Sequence, residues 1–288
     1  MHAPQAQPDS SPSTPNAGSA AVERPPLFTA EELVAFKARV SPLIGLDLDA
    51  YKPRQMERRL TAVMHRAKAE TLAALADRLE ADPGRRDEFV SALTINVTEF
   101  FRNPERFEVL ETQILPELLA RFERLKVWSA GCSHGAELYS IGLVLEQLGA
   151  IDRCELVGTD LDPKAVQRAE SGMFHDYEVR GMPERFAARH LRPEGALFRF
   201  DAPAVRERCR FRVHNLLEDA PEPDCHLVVC RNVVIYFNET GKRQLYRRFT
   251  EAIAPGGMLF VGNTERIFEH KELGFALAAP FFYRKATS

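Results

Sequence analysis

Residues 125–137 read Leu125-Lys-Val-Trp-Ser-Ala-Gly-Cys-Ser-His-Gly-Ala-Glu137. A short apolar run, Leu125 to Ala130, ends at Gly131, and beyond Gly135 the pattern predicts a helix over 136–149. A strand that passes through a glycine turn into a helix is the opening unit of a parallel sheet covered by helices on both faces. In such sheets ligands bind outside the carboxyl end of the first strand. Gly131 and Gly135 would let the backbone come close to a ligand, although a plain tight turn would use the same residues. The turn lacks the GxGxxG spacing, so a dinucleotide pyrophosphate is not specifically indicated.

Working outward, the alternation continues. Glu155 to Thr159 reads as a strand ending at Asp160, followed by a helix over 163–171. His226 to Cys230 and Met258 to Val261 read as strands with a helix over 239–253 between them, and Phe275 to Lys285 as an edge hairpin. A helix over 104–123 leads into the first strand. Residues 175–213 interrupt the pattern with short pieces, Ala196 to Phe200 and Cys209 to Val213, and are expected to form a small inserted β-rich subdomain. The expected fold class is therefore α/β. Asp160 stands where an acidic residue accepts hydrogen bonds from ribose hydroxyls. Its distance from the glycine turn exceeds the roughly 20 residues of the dinucleotide fingerprint, which favours an adenosyl ligand without a pyrophosphate. The same residue could instead cap the helix that follows.

Upstream, residues 27–95 read as an all-α unit. Thr29 and Glu32 have capping-box spacing. Met56, Leu60, Val63, Met64 and Ala67 form one apolar helical stripe, and Arg54, Arg58 and Arg59 lie off it. Those arginines form either a solvated face or a docking face for an acidic partner. Residues 1–26, rich in Pro, Ser, Ala and Gln, are expected to be a disordered tail. The chain has 288 residues, 45% hydrophobic and 27% charged, ordinary for a globular protein with a sizeable core. A net charge of -3 argues against a generally basic nucleic-acid binder, so no nucleic-acid partner is expected. No apolar run approaches the roughly 20 residues of a membrane span, so no membrane insertion is expected. No signal peptide is evident, and five scattered cysteines without CxxC spacing are expected to be buried free thiols in a reducing cytoplasm.

Five motifs occur in order: Asn96-Val-Thr-Glu-Phe-Phe-Arg102, Trp128-Ser-Ala-Gly-Cys-Ser-His-Gly-Ala-Glu-Leu-Tyr-Ser140, Gly158-Thr-Asp-Leu-Asp162, Cys230-Arg-Asn-Val-Val-Ile-Tyr-Phe237 and Pro255-Gly-Gly-Met-Leu-Phe-Val-Gly262. As a set they resemble the chemotaxis receptor methyltransferases, S-adenosylmethionine-dependent protein-glutamate O-methyltransferases. The resemblance covers nearly everything after about residue 28. It implies an all-α N-terminal domain followed by a Rossmann-like class I methyltransferase domain, 96–288, that carries the inserted β-subdomain. It implies S-adenosylmethionine as cofactor, S-adenosylhomocysteine as product and no metal. The family's cofactor positions fall on Asn96, Thr98, Arg102, Glu137, Asp160, Asn215, Leu216, Arg231 and Asn232. Its positions near the transferred methyl fall on Arg102 and Tyr236; read alone, Tyr236 could be a core aromatic. The sequence departs from the family pattern at His134 (usually Thr), at Ala136 (the first of two usual glutamates), at Leu138 (often Pro) and at Gly262-Asn-Thr-Glu265 (often Gly-His-Ser-Glu).

The implied partner is the cytoplasmic domain of methyl-accepting chemoreceptors, served by a cytoplasmic enzyme expected to act as a monomer. Arg54, Arg58 and Arg59 are then the candidates for docking an acidic receptor helix. Some relatives hold a receptor C-terminal peptide on the β-subdomain through a glycine-rich turn; residues 190–199 contain only Gly195, so weak or no binding of such peptides is expected. A glutamate side chain is already ionised at neutral pH, so its methylation needs no general base. The rival readings are a methyltransferase for another substrate, because fold alone does not fix substrate, and a catalytically silent cofactor-binding adaptor.

Overall fold

A computed structural model of the chain describes residues 27–94 and 96–287. The tail expected over 1–26 lies outside the described residues. Helices α1 (Ala30–Ile44), α2 (Pro53–Ala67), α3 (Leu72–Ala81) and α4 (Pro83–Leu93) form the N-terminal unit. The Thr29–Glu32 capping box is closed in both directions, and Asp82 caps α4 through the Gly84 N–H. Met56, Leu60, Val63 and Met64 are buried with Phe36, Leu75 and Phe89 in a core of this unit's own. α2 therefore presents to its neighbours the apolar stripe that its sequence spells.

The lead-in helix is interrupted. α5 (Pro104–Val109) and α6 (Leu115–Arg121) are joined by a π-helical turn, Leu110–Ile114, in which the Leu115 N–H bonds the Leu110 carbonyl. Pro116 explains the widening: its ring has no N–H for the carbonyl four residues back and would collide with it in a regular turn.

β1 (Leu125–Ala130) leads through the glycine turn into α7 (Ala136–Gln147), and β2 (Cys154–Asp160) into α8 (Pro163–Ser171). Then come β3 (Met173–Phe174), α9 (Asp176–Val179), α10 (Glu184–His190), β4 (Leu191–Glu194), β5 (Leu197–Phe200), α11 (Pro203–Arg206) and β6 (Cys209–Val213). β7 (Cys225–Cys230), α12 (Glu239–Ala252), β8 (Ile253–Val261) and the hairpin β9 (Phe275–Ala279) and β10 (Phe282–Lys285) complete the chain. The main sheet has seven strands in the order β6-β2-β1-β7-β8-β10-β9, parallel up to β8 and antiparallel in the terminal hairpin. Side chains alternate across it: Val127, Leu227 and Val229 enter one core, Trp128, Val228 and Cys230 the other. Both faces are covered, which is why β1 and β7 read as nearly continuous apolar runs. All five cysteines are free and buried.

Three expectations are corrected. Cys209–Val213 is not part of the insert; it is the parallel edge strand of the main sheet, with Leu156 opposite Cys209 and Asp160 opposite Val213. The insert itself is a three-stranded sheet, β3-β5-β4, interleaved with three short helices, so it is mixed rather than β-rich. Finally, the strand expected from Met258 starts at Ile253. The Pro255-Gly256-Gly257 stretch is absorbed as a register shift between Cys225 and Leu227, with Gly256 at φ +80°.

Candidate active site

The sheet order reverses at β1, which is flanked by β2 and β7. The carboxyl ends of these three strands deliver the glycine turn, Asp160 and the Arg231-Asn232 pair to one cleft. This is the switch point at which open α/β sheets bind ligands.

The turn after β1 is pinned by the Gly131 and Cys132 N–H groups, which both donate to the Thr159 carbonyl, at 2.8 and 2.9 Å. The two glycines make room for protein rather than directly for a ligand. Gly131 has φ +84°, and a Cβ there would lie 2.5 Å from Val233 Cγ2; one on Gly135 would crowd Ala169 and Phe211. Asp160, 8% exposed, accepts from the Ser133 N–H at 2.8 Å through one oxygen and from the Asp162 N–H at 3.0 Å through the other. Burial raises its carboxyl above the usual range, against the pull of those N–H groups. Each oxygen keeps a free lone pair. The rival role assigned to Asp160 belongs to its neighbour, since the Asp162 side chain caps α8 through the Lys164 N–H.

Asn232 follows β7 with φ +60°. Buried Glu265 fixes this turn by accepting from the Asn232 N–H at 2.7 Å, the Gly262 N–H at 2.9 Å and the Ile235 N–H at 3.2 Å. Burial raises the Glu265 carboxyl, and the backbone donors oppose that shift. The turn carries on to Tyr236, whose carbonyl accepts from the Lys52 N–H at 3.0 Å. An isolated bridge pairs Tyr51 with Phe237, their rings 4.9 Å apart.

The site residues expected from the sequence divide between two adjoining recesses. Asn96, Asp160, Asn215, Leu216 and Tyr236 line the main cleft; Thr98, Arg102 and Glu137 line a smaller one. Arg231 and Asn232 line both. Arg231 directs its guanidinium at the protein: Nη1 donates to Glu137 at 3.2 Å, and Nη2 to the Arg102 carbonyl at 2.7 Å and to Asn103 at 2.8 Å. Glu137 also accepts from the Ser129 hydroxyl at 2.8 Å. Asn215 donates to the Gly45 carbonyl at 2.7 Å and accepts from the Leu217 N–H at 3.0 Å. Asn96 donates to Asp162 at 2.5 Å.

The three arginines of α2 separate. Arg54 and Arg58 are exposed, whereas Arg59 turns inward to the cleft with its guanidinium 4.4 Å from the Tyr236 ring centroid. Sequence reasoning missed that the N-terminal unit walls the cleft through Tyr51, Arg59 and Thr94. It met Ser133 and Glu265 only as parts of motifs. His134 proves to be a tie. Its Nδ1 lies 2.7 Å from fully buried Glu178, which also pairs with Arg168 and accepts from the His175 N–H at 2.7 Å. Burial would raise Glu178, but His134, His175 and Arg168 outweigh it and hold the carboxyl below its usual range.

The chain matches the family described as "CheR methyltransferase, SAM binding domain" over residues 96–279 and "CheR methyltransferase, all-alpha domain" over residues 31–94. It is 38% identical over 243 residues to the "Chemotaxis protein methyltransferase" of Listeria monocytogenes, covering 84% of this chain and 92% of that one. It is 32% identical to the "Chemotaxis protein methyltransferase Cher2" of Pseudomonas putida, covering 81% of this chain and 89% of that one. The cleft fits S-adenosylmethionine: besides Asp160, the residues lining it include Ser133 and Asn232, whose buried Oγ and Oδ1 have no hydrogen-bond partner among the described residues and would be satisfied by a polar ligand. By sequence, architecture and site, the chain belongs to the CheR methyltransferase family.

Proposed function

We propose that the protein transfers the methyl group of S-adenosylmethionine to glutamate side chains on the cytoplasmic domain of methyl-accepting chemoreceptors, forming glutamate methyl esters. The observation that carries this reading is the composite cleft, in which Asp160 and Asn232 of the α/β unit meet Tyr51 and Arg59 of the helical unit beside Tyr236. The cofactor supplies an electrophilic methyl on a sulfonium. A glutamate needs no deprotonation at neutral pH, so the reacting end, assigned in this reading to Arg102 and Tyr236, requires no general base. What the chain must supply is orientation, which contributes about 7–11 kcal/mol when reactants are well aligned, together with exclusion of water.

In this reading residues 27–95 face the receptor and residues 96–288 hold the cofactor. Asp160 takes the ribose hydroxyls, and Asn215 and Leu216 the adenine. Asn96, Thr98, Glu137, Arg231 and Asn232 complete the cofactor site, Arg231 by holding Glu137 in place. Arg102 and Tyr236 stand at the methyl. Exposed Arg54 and Arg58 steer an acidic receptor helix toward the cleft. The protein works in the cytoplasm, as a monomer, without nucleic acid or a metal.

The test is incubation of the protein with methyl-labelled cofactor and receptor-containing membranes. Base-labile label on the receptor band supports the reading. Cofactor binding without transfer would mean a silent adaptor, and label on another acceptor a different substrate.

A further inference from the structure

Among the described residues, Arg59 is a half-buried cation without an anion. Its Nη1 is engaged by the Leu93 carbonyl, but Nε and Nη2 are buried and have no hydrogen-bond partner among the described residues. These two nitrogens form one edge of the guanidinium, with parallel N–H bonds that match the two oxygens of a carboxylate. The same molecule displays that edge in use: Arg39 holds Glu80 through Nε–Oε1 and Nη2–Oε2 contacts of 2.9 Å each. On Arg59 the edge is unmatched. Burial pushes its pKa down, the mark of a desolvated charge lacking a counter-ion. Such a group is costly unless something else binds it.

Its place says what that is. Arg59 lies over the Tyr236 ring and lines the cleft, while Arg54 and Arg58 of the same helix face solvent. α2 thus runs from an exposed basic surface to an unpaired guanidinium at the proposed reacting end. We infer that Arg59 clamps the acceptor carboxylate, receiving the receptor glutamate side-on through Nε and Nη2 and selecting glutamate over glutamine. Both nitrogens are covered in this structure, so engagement requires the Arg59 side chain or the Tyr236 ring to shift. Arg59 then belongs to the chemistry and not to the steering surface. This inference rests on the reading of the protein as a receptor glutamate methyltransferase.

The experiment compares wild type, Arg59→Gln and Arg59→Lys. Titration calorimetry measures S-adenosylhomocysteine affinity. It then measures, with that product bound, the affinity for two forms of a receptor cytoplasmic fragment, carrying Glu or Gln at the methylated position. Wild type should prefer the Glu fragment by about tenfold or more, the scale of a charged hydrogen bond. Arg59→Gln should bind both fragments alike with product affinity unchanged, and Arg59→Lys should keep only part of the preference, since an ammonium lacks the fork. Intact product binding doubles as the check on folding. A wild type that does not discriminate, or a variant that still does, overturns the clamp. A fall in product affinity with the preference intact overturns it too, and would assign Arg59 to the cofactor's own carboxylate. Methyl transfer by the wild type is assayed in parallel: no transfer to any receptor fragment overturns the functional reading and the clamp with it, whereas transfer without Glu–Gln preference overturns the clamp alone.

Discussion

Replacing Asp160 by Asn separates binding from stability, because its carboxylate carries two loads. It accepts one backbone N–H on each oxygen, from Ser133 and Asp162, and in the proposed complex it also accepts from the ribose hydroxyls. Asn keeps the shape and one acceptor oxygen but loses the charge. A hydrogen bond to a charged group contributes about 1.5–3 kcal/mol. At about 1.4 kcal/mol per decade, S-adenosylmethionine should bind the variant roughly 10- to 150-fold more weakly. Stability should change less. One backbone N–H loses its acceptor, a cost of about 1–3 kcal/mol, but a charge disfavoured by burial is removed at the same time. The sign of the pH effect follows. The folded-state pKa of Asp160 is raised, so its ionised form costs stability at neutral pH and that cost fades as pH falls through the raised value. Wild-type cofactor affinity should decline over that same window, and Asp160→Asn should show no such decline. Calorimetric titration at several pH values with a parallel thermal melt measures both. Unchanged cofactor affinity in a folded variant would refute the ribose assignment.

At the reacting end, Tyr236→Phe should leave cofactor affinity intact and lower single-turnover methylation; Arg102→Lys should lower turnover and cofactor affinity together. Neither loss should be recovered between pH 7 and 9, and wild-type rates in both variants would place the reacting centre elsewhere. Charge reversal at exposed Arg54 and Arg58 should slow receptor methylation and flatten its dependence on ionic strength, measured from initial rates over a salt series. Glu178→Gln should lower stability at pH 7 by about 3 kcal/mol, the cost of breaking a buried pair. Because the Glu178 pKa is lowered from 4.5, its contribution is full above that value and disappears as pH falls below the depressed one; urea titrations of both proteins should converge only in acid.

The legible parts were those written in short range. Strand-to-helix alternation, the glycine turn, the acid ending β2, the apolar stripe of α2 and the Thr29–Glu32 box each depend on neighbours a few positions apart. The order of five motifs pointed to the family and with it to most of the site. Partner choice across long separations was not legible. Cys209–Val213 is a strand by its own alternation, but joining β2 instead of the insert depends on where the chain returns after α11. Arg54, Arg58 and Arg59 are equivalent on a sequence, all off the apolar stripe. Only the packing of α2 against the 232–237 turn drives Arg59 into the cleft. On the sequence His134 is only a departure from the family pattern, because its partners, Glu178 and Arg168, lie 44 and 34 positions away. The sequence by itself determined the elements and the chemistry of the strand ends, because local periodicity and turn geometry are properties of adjacent residues. Tertiary structure alone decided which buried charges are matched and that the helical unit walls the cleft, because desolvation and pairing depend on what the fold brings alongside.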